Sequence, residues 1–385
     1  MRKRIMIIMA MSSLDGQRSF GGVDSACQAH FHGLSEITDD KNDYIILAFN
    51  QKSDSPKNCD YKTINKHIRL FWYNYKRKTN KLDKIPNVIK NEMLIRSFIK
   101  KFNPDIVHSH LPQWHIKKYS NEIKIITLHQ YHNICRTSVN LLNDMLHCNM
   151  IEPASIRSAD IVTSVSEDLI HVINADMNIE VRYIPNAIND HYLHAKRQWK
   201  ESERINMLMM GALSQRKRVM DALEVVRRLK AEHPTITLTL AGAFDSNLDF
   251  KRQCFSFIAD HALQDNVHLP GVLNLGEIMQ QMSQTHIALF LSEQETFGLA
   301  PLECLAAGIP LVTTKVGVFK WQTADFAKFG VDVVEIGDIP SIAQAVSSRI
   351  RSNIYDAGKN IHNFLFDNFS QKACAMKYHA IYASL

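Results

Sequence analysis

The sequence predicts an α/β protein built from two domains, each with a parallel sheet covered by helices on both faces. The chain has 385 residues, whereas a single domain usually holds roughly 100–200. Short apolar runs alternate with longer segments that have helical periodicity, which is typical of doubly wound sheets. This alternation stops at a polar span near 189–204 and then starts again. We therefore expect two doubly wound domains.

Six strands are predicted in the first series: Arg4–Met11, Tyr44–Ala48, Ile106–His108, Ile123–Leu128, Ile161–Val165 and Val181–Ile184. Six more are predicted in the second: Ile205–Met210, Ile236–Ala241, Val267–Leu269, Ile287–Leu291, Ile309–Thr313 and Val331–Ile336. The expected domains are 1–188 and 205–365, joined by a linker over 189–204. Residues 366–385 are expected to form a C-terminal helix that packs back on the first domain.

The composition excludes several classes of protein. Hydrophobic residues make up 45% and charged residues 22% of the chain, which is unlike a disordered protein. Its apolar runs are far shorter than the ~20 residues needed to span a bilayer. Seven widely spaced cysteines without a C-x-x-C pattern favour a reducing compartment. Arg2-Lys3-Arg4 and the apolar run behind it resemble a signal peptide, but without a small-x-small cleavage site they are better explained as a first strand.

Positive charge is concentrated in the first half of the chain. Residues 1–200 contain 28 Lys and Arg against 20 Asp and Glu, whereas the rest contain 17 against 19. Between Arg69 and Lys101, ten basic residues meet only two acidic ones, beside the aromatic residues Phe71, Trp72, Tyr73 and Tyr75. Two interpretations stay open: a surface for anionic lipid headgroups or phosphates, and a solvated helical face with a few core aromatics. Nucleic acid is a weaker third, because no nucleic-acid motif is present.

Two glutamates eight positions apart mark the candidate site. Glu295 lies between a predicted strand and a predicted helix, and Glu303 lies about two helical turns further on. Gly298 allows backbone N–H groups to approach a ligand, and a helix N-terminus favours an anionic or oxygen-rich group. Carboxylates accept hydrogen bonds from pairs of sugar hydroxyls. The pattern therefore predicts a site for a sugar or a sugar nucleotide.

This segment, from Leu291-Ser292 through Glu303 to Leu311-Val312, resembles the E-x7-E signature of the retaining glycosyltransferases of family four. The resemblance implies the GT-B fold, with two facing Rossmann-like domains and a cleft between them. Further segments are similar to the family: Gly21-Gly22, 103–110, Thr127-Leu128-His129, 159–167, 184–187 and 268–272. The family pattern G-R-L-x3-K-G is matched by Gly211, Leu213 and Lys217. Ala212 replaces its arginine, and Arg218 replaces its final glycine.

The resemblance implies specific roles. Catalytic residues would be Glu295, His129 and Lys217, and donor-binding residues would be Gly21, Gly22, Gly211, Arg216, Lys217, Arg218, Gly271, Phe297, Gly298, Leu299 and Glu303. Lys217 with one neighbouring arginine, Arg218 rather than Arg216, would neutralise the leaving diphosphate. Glu303 would bind the ribose, and Glu295 with the backbone of 297–299 would hold the sugar.

No metal site is expected. Five histidines lie close in sequence, namely His108, His110, His115, His129 and His132, but neither H-E-x-x-H nor D-x-D occurs. A metal-dependent transferase needs such carboxylates to hold a cation against the diphosphate. Side chains and helix dipoles would neutralise it instead.

The predicted function is transfer of a sugar, with retention, from a nucleotide-diphosphate sugar to a hydroxyl of a glycan or lipid-linked glycan. UDP is expected from family frequency, and no other cofactor is expected. The expected pathway is envelope polysaccharide synthesis, such as O-antigen or capsule, in the cytoplasm or at the inner face of the membrane. Two alternatives remain: a nucleotide-sugar epimerase of the same fold, and a catalytically silent sugar-nucleotide-binding partner protein.

Overall fold

The computed structural model describes residues 2–14, 21–37, 42–51, 59–75, 84–131, 147–195, 204–352, 355–357 and 359–385. The chain divides into two compact units. The first contains Met1–Ala187 and Gln371–Leu385, and the second contains Ile188–Ser370. None of the helices in the described parts of the chain is both long and apolar enough to cross a membrane.

The first unit is an eight-stranded sheet in the order β3-β4-β2-β1-β5-β6-β7-β8. Its strands are β1 (Lys3–Ala10), β2 (Asn42–Gln51), β3 (Cys59–Thr63), β4 (Ile68–Tyr75), β5 (Ile106–Ser109), β6 (Ile123–Leu128), β7 (Ile161–Ser164) and β8 (Val181–Tyr183). Its helices are α1 (Gly22–Glu36), α2 (Lys84–Phe102), α3 (Glu152–Arg157), α4 (Glu167–Met177) and a helix from the end of the chain. All neighbouring strands are parallel except β3 and β4. Ile5 to Met9 are fully buried, as expected for a central strand covered on both faces.

The second unit is a six-stranded parallel sheet in the order β11-β10-β9-β12-β13-β14. Its strands are β9 (Asn206–Met210), β10 (Thr237–Ala241), β11 (Val267–Gly271), β12 (Ile287–Phe290), β13 (Leu311–Thr314) and β14 (Asp332–Val334). Its helices are α5 (Asp190–Leu193), α6 (Val219–Leu229), α7 (Leu248–Asp260), α8 (Leu275–Ser283), α9 (Leu299–Ala306), α10 (Val318–Trp321), α11 (Thr323–Lys328), α12 (Ile339–Ser352) and α13 (Lys359–Phe369). In both units the strand order reverses beside the first strand, β1 or β9, as in a doubly wound sheet. The predicted fold class, two Rossmann-like α/β domains, is confirmed.

The end of the chain returns to the first unit. The segment 366–385, expected to be one helix, is divided at Ser370 into the end of α13 and a last helix, α14 (Gln371–Ser384), because the chain passes there from the second unit to the first. Helix α14 packs against α1 so closely that a Cβ on Gly33 would lie 2.1 Å from the carbonyl oxygen of Gln371. Of the expected linker 189–204, residues 190–193 form α5, and 196–203 lie outside the described residues.

The aromatic part of the basic stretch is strand β4, which pairs with β2 and β3. No strand was expected here, but the interpretation with a few core aromatics agrees with the contacts of this strand. Phe71 contacts the rings of Phe98 and Phe102 at 5.0 and 5.2 Å between centroids. Trp72 donates its indole N–H to the carbonyl of Met11 at 3.0 Å. Phe71 and Trp72 are therefore half-buried and pack within the first unit, and residues 76–83 lie outside the described residues.

Candidate functional site

Helix α9 begins at a turn that two glycines make possible. Gly298 precedes the helix with φ at 100°, and Gly317 has φ at 53°, both in the region that favours glycine. A Cβ on Gly317 would lie 2.4 Å from the carbonyl oxygen of Phe297, which accepts a hydrogen bond from the N–H of Val318 at 2.8 Å. The loop after β13 therefore fixes the loop that carries Glu295.

Glu295 lies at the centre of a mostly buried charge cluster. Its carboxylate forms an ion pair with Lys217, accepts a hydrogen bond from the hydroxyl of Ser292 at 2.7 Å and lies 3.7 Å from Nη1 of Arg216. Burial favours a neutral carboxyl and raises its pKa, but the charges of Lys217 and Arg216 outweigh burial, so the pKa of Glu295 is lowered. The cluster therefore holds an ionised glutamate between two cations.

Backbone hydrogen bonds bring these distant segments together. The carbonyl of Arg216 accepts from the N–H of Glu293 at 2.8 Å, and Nη1 of Arg216 donates to the carbonyl of Gln294 at 2.5 Å. Residues Gln215–Lys217 form a short 3₁₀ turn, so the cations are presented before helix α6 begins. The 3₁₀ turn is therefore held against the Glu295 loop by two hydrogen bonds of Arg216, one through its backbone carbonyl and one through its guanidinium.

Arg218 has a different environment from Arg216. It adopts φ of 53°, the left-handed conformation in which glycine is most readily accommodated. Its Nε donates to the carboxylate of Asp221 at 2.5 Å, and its Nη2 would lie 3.0 Å from a Cβ on Gly337. Ala212, where the family pattern has arginine, is exposed. The structure thus places Arg216, and not Arg218, beside Glu295.

Glu303 has a buried carboxyl. The residue lies in the second turn of α9 and is 8% exposed, and its carboxyl forms no hydrogen bond or ion pair with any residue in the described ranges. Burial alone raises its pKa from 4.5 to about 7. Its charge acts on the buried Tyr192 of α5, whose pKa is raised by burial and then by Glu303. Both oxygens of such a carboxyl can accept hydrogen bonds from the hydroxyl groups of a ligand.

The remaining predicted positions are glycines and the start of α9. A Cβ on Gly211, Gly271, Gly21 or Gly22 would contact no atom of the described residues within 4 Å, so at each position there is space beside the backbone within the described part of the chain. Gly211 follows β9, Gly271 ends β11, and Gly21-Gly22 begins α1. Phe297 is buried against Phe369, and Leu299 is the first residue of α9.

His129 belongs to the first unit and forms part of a buried polar network. The parallel register sets His108 of β5 beside Ile7 and Ile125, so the residues that follow β5 and β6 share one edge of the sheet. Nδ1 of His110 lies 3.0 Å from Nε2 of His129, and Nε2 of His110 lies 3.0 Å from Nδ1 of His30 in α1. His115 lies apart, beside Tyr119, and His132 lies outside the described residues.

Helix α14 completes this network. The hydroxyl of Tyr382 lies 2.5 Å from Nδ1 of His108, whose Nε2 lies 2.7 Å from the hydroxyl of Thr127. The ring of Tyr378 stacks on His30 at 4.5 Å between centroids. Sequence analysis missed His30, Tyr378 and Tyr382, because residues about 80 to 270 positions apart share no local pattern. Tyr378 and Tyr382 are four positions apart, a spacing that places both on one face of a helix, and this spacing could have indicated a buried face.

Two overlapping sets in this network bring potential metal ligands within 4.8 Å of one another: Cys27, His110 and His129, and His30, His108 and His110. Nitrogen and sulfur ligands suit zinc or copper, whereas the magnesium or manganese that accompanies a diphosphate needs carboxylate oxygens. Both nitrogens of His108 are occupied by hydroxyl partners. The network therefore does not offer the ligands of a diphosphate-bound cation.

Two family models match the chain. Residues 40–192 match Glycosyltransferase Family 4, and residues 193–354 match Glycosyl transferases group 1. Together they span most of both units.

Individual relatives are distant. Glycogen synthase of Mycobacterium tuberculosis is 26% identical over 284 residues, which cover 66% of this chain and 65% of that protein. Sucrose-phosphate synthase from Thermosynechococcus elongatus superposes with a TM-score of 0.76 at 18% identity, covering 100% of this chain and 99% of that one. Anabaena HepE in complex with UDP and glucose gives 0.69 at 14% identity, with both chains fully covered. Residues 40–192 are thus similar to Glycosyltransferase Family 4 and residues 193–354 to Glycosyl transferases group 1, and the two Rossmann-like units have the GT-B type of fold.

Proposed function

We propose that this protein is a retaining glycosyltransferase that moves a sugar from a nucleotide-diphosphate sugar, UDP-linked, to a hydroxyl of a glycan or lipid-linked glycan. The observation that carries the proposal is the cluster of Lys217, Arg216 and Glu295 beside the start of α9. The family matches support the class of reaction, and the complex of Anabaena HepE with UDP and glucose supports the choice of nucleotide.

Lys217 and Arg216 are the cations that neutralise the diphosphate in this proposal. A leaving diphosphate carries at least two negative charges, and their compensation matters more in a site that excludes water. The side chains of Lys217 and Arg216 are only 14% and 24% exposed. Arg218 is the residue that the sequence pattern favours, but its guanidinium is already held by Asp221. We therefore assign the second cation to Arg216.

In this proposal the two glutamates bind different parts of the donor, Glu303 the ribose and Glu295 the sugar. Glu303 is buried and its carboxyl has no partner among the described residues, so it gains hydrogen bonds when ribose hydroxyls reach it. Glu295 is held ionised, so with the N–H groups at the start of α9 it can bind both the hydrogens and the oxygens of sugar hydroxyls. Since Glu295 is paired with Lys217, the proposal includes no metal ion and no further cofactor.

The reaction needs no protein nucleophile. The acceptor oxygen bonds to the anomeric carbon on the face from which the bond to the diphosphate oxygen breaks, and the acceptor proton passes to the leaving diphosphate. The protein supplies binding, orientation and charge compensation. We propose that His129 contacts the transferred sugar.

Nucleotide release tests the proposal against its alternatives. The purified full chain is incubated with a panel of nucleotide sugars, with and without glycan or lipid-linked glycan acceptors, and the products are identified by mass spectrometry. A transferase releases UDP in the presence of acceptor and adds a sugar mass to it. An epimerase changes the donor without an acceptor, and a silent binding protein does neither, so either result would refute the assignment.

A charge-neutral substitution then tests the site. We expect Glu295→Gln to lower kcat at least tenfold, about 1.4 kcal/mol of transition-state stabilisation. Glu293→Gln in the same loop is the matched control, because Glu293 is exposed and should leave kcat unchanged. Near-normal turnover in Glu295→Gln would remove that residue from the site.

We further propose that the first unit attaches reversibly to an anionic membrane surface, where a lipid-linked acceptor for envelope polysaccharide synthesis such as O-antigen or capsule is available. Helix α2 supports this: Ile89 and Met93 are 52% and 66% exposed, and the basic residues Lys90, Arg96 and Lys100 are exposed on the same helix. Each basic residue near an anionic surface contributes about 1 kcal/mol, so several suffice for reversible binding.

Vesicle co-sedimentation tests the membrane proposal. Binding to vesicles with anionic lipid is expected at low salt and should fall at high salt. Lys90→Glu combined with Lys100→Glu should reduce it, whereas the charge-matched change of Lys251 and Lys328 in the second unit should not. Absence of binding at low salt would refute membrane attachment without affecting the proposed reaction.

A further inference from the structure

Three imidazole rings form a continuous hydrogen-bonded chain inside the first unit. His30 of α1, His110 after β5 and His129 after β6 are 3%, 3% and 9% exposed. The chain runs from Nδ1 of His30 to Nε2 of His110, and from Nδ1 of His110 to Nε2 of His129, with 3.0 Å at each step. Both nitrogens of the middle ring, His110, therefore form hydrogen bonds to the other two rings.

The rings are uncharged near neutral pH. Burial lowers the pKa of His30 to about 3 and that of His129 to about 4, and the pKa of His110 is lowered in the same direction by burial and by its neighbouring rings. A neutral imidazole has one N–H donor and one bare acceptor nitrogen. The three rings must therefore all donate in the same direction along the chain.

Each end of the chain is a buried nitrogen without a hydrogen-bond partner among the described residues: Nε2 of His30 and Nδ1 of His129. One direction of the chain leaves an N–H on His30 and a bare nitrogen on His129. The other leaves a bare nitrogen on His30 and an N–H on His129. Buried N–H groups without an acceptor are the rarest unsatisfied groups in proteins, so the position of this N–H decides between the two directions.

The surroundings of His30 favour the second direction. The ring of His30 lies against Tyr378 of α14 and His108 of β5, and its Nε2 is buried without a partner among the described residues, so an N–H there would stay unpaired. His129 is the most exposed of the three rings, and its Nε2 is occupied by His110. Its Nδ1 is buried and has no hydrogen-bond partner among the described residues, so it is the nitrogen of this ring that remains for a ligand.

We propose that His110 and His30 are positioning residues that fix His129 in the tautomer with hydrogen on Nδ1, so that His129 acts as a hydrogen-bond donor to an oxygen of the bound substrate. The inference rests on the proposed function, in which His129 contacts the transferred sugar. It adds that this contact is a donated hydrogen bond from one defined atom. A sugar hydroxyl can accept that bond, whereas an amine or amide N–H at the same place cannot.

The tautomer is measured directly on the full chain. In a long-range ¹H–¹⁵N spectrum of histidine-labelled protein near neutral pH, the His129 signals are those lost in His129→Gln. We expect the protonated nitrogen of His129 to be Nδ1 and the bare one to be Nε2. Hydrogen on Nε2 in the wild-type protein overturns the proposal, and this result does not depend on whether any variant folds.

Variants of the middle ring test the coupling. In His110→Phe the ring of His129 loses its partner, so we expect its tautomer to shift toward hydrogen on Nε2 and kcat to fall at least tenfold. His110→Gln retains one donor and one acceptor and should restore part of the wild-type spectrum and of kcat. Unmoved His129 signals in His110→Phe would overturn the proposal.

His115→Phe is the matched control. His115 is a fully buried histidine of the same unit and is not part of the chain, so its loss should leave both the His129 signals and kcat unchanged. The spectrum also separates this inference from the proposed function. If no transfer is detected but His129 carries its hydrogen on Nδ1, the reaction assignment fails and the tautomer assignment holds.

Discussion

Glu303→Gln should stabilise the ligand-free protein at alkaline pH while weakening its binding of the donor. The wild-type carboxyl is 8% exposed and has a pKa raised from 4.5 to about 7 by burial. For an acid with a raised pKa in the folded state, ionisation costs stability. The cost is absent below pH 4.5, grows between pH 4.5 and 7, and is complete above pH 7.

The expected change in the free energy of unfolding follows from the size of the pKa shift of Glu303. A pKa moved from 4.5 to about 7 corresponds to about 3 kcal/mol above pH 7. Glutamine keeps a buried polar group, as the protonated acid does, but cannot ionise. The variant should therefore be close to wild type at pH 4 and about 2 to 3 kcal/mol more stable at pH 8.

Denaturant unfolding at pH 4, 6 and 8 measures this difference. Glu232→Gln is the control, because Glu232 is exposed in the same unit and its replacement should change stability by less than about 0.5 kcal/mol at each pH. The donor dissociation constant, measured on the same samples, should rise in Glu303→Gln. An equal stability difference at pH 4 and pH 8 would show that the carboxylate is solvated or paired, and would refute the argument.

Three further predictions concern charge and packing. Lys217→Met should reduce kcat more than tenfold and raise the pKa of Glu295, as read from a pH profile of residual activity; an unshifted profile would contradict the ion pair. Gly33→Ala should cost about 1–3 kcal/mol of stability, because its Cβ meets the backbone of α14, whereas Gly276→Ala, whose Cβ would make an ordinary contact with Oδ1 of Asn274 at 3.4 Å, should be near neutral in the same unfolding assay. Burial lowers the pKa of the fully buried Lys124 to about 7, so its ionised form costs stability below that pH. The stability of wild type relative to Lys124→Met should therefore increase between pH 7 and 10, and a constant difference would contradict this.

The sequence by itself determined the fold class and predicted the place of the candidate site. Strands buried on both faces must be continuous apolar runs, so β1, β6 and β12 could be recognised from local composition. The loop before α9 was recognisable because Glu295, Gly298 and Glu303 combine a strand end, a turn and a helix start within nine residues. Such features depend on residues that are adjacent in the sequence, so they can be recognised without knowledge of the tertiary structure.

Strand β4 is an element that prediction from the local sequence did not identify. Phe71 packs on the rings of Phe98 and Phe102 of α2, whereas Trp72, its neighbour in the strand, donates its indole N–H to the carbonyl of Met11. Successive side chains of a strand point to opposite faces of the sheet, so large aromatic residues and the basic Arg69 occur together in β4, as they would on an amphipathic surface. Only its pairing with β2 and β3 decides which side chains are covered.

The tertiary structure alone decided which side chains meet. Arg216 and Arg218 are two positions apart, yet one faces Glu295 and the other Asp221, because the left-handed conformation at Arg218 turns the chain between them. His30, His110 and Tyr378 come from three parts of the chain to form one network. Their contacts arise from the parallel register of the sheet and from the return of α14 to the first unit, and no local propensity encodes contacts between residues so far apart in the sequence.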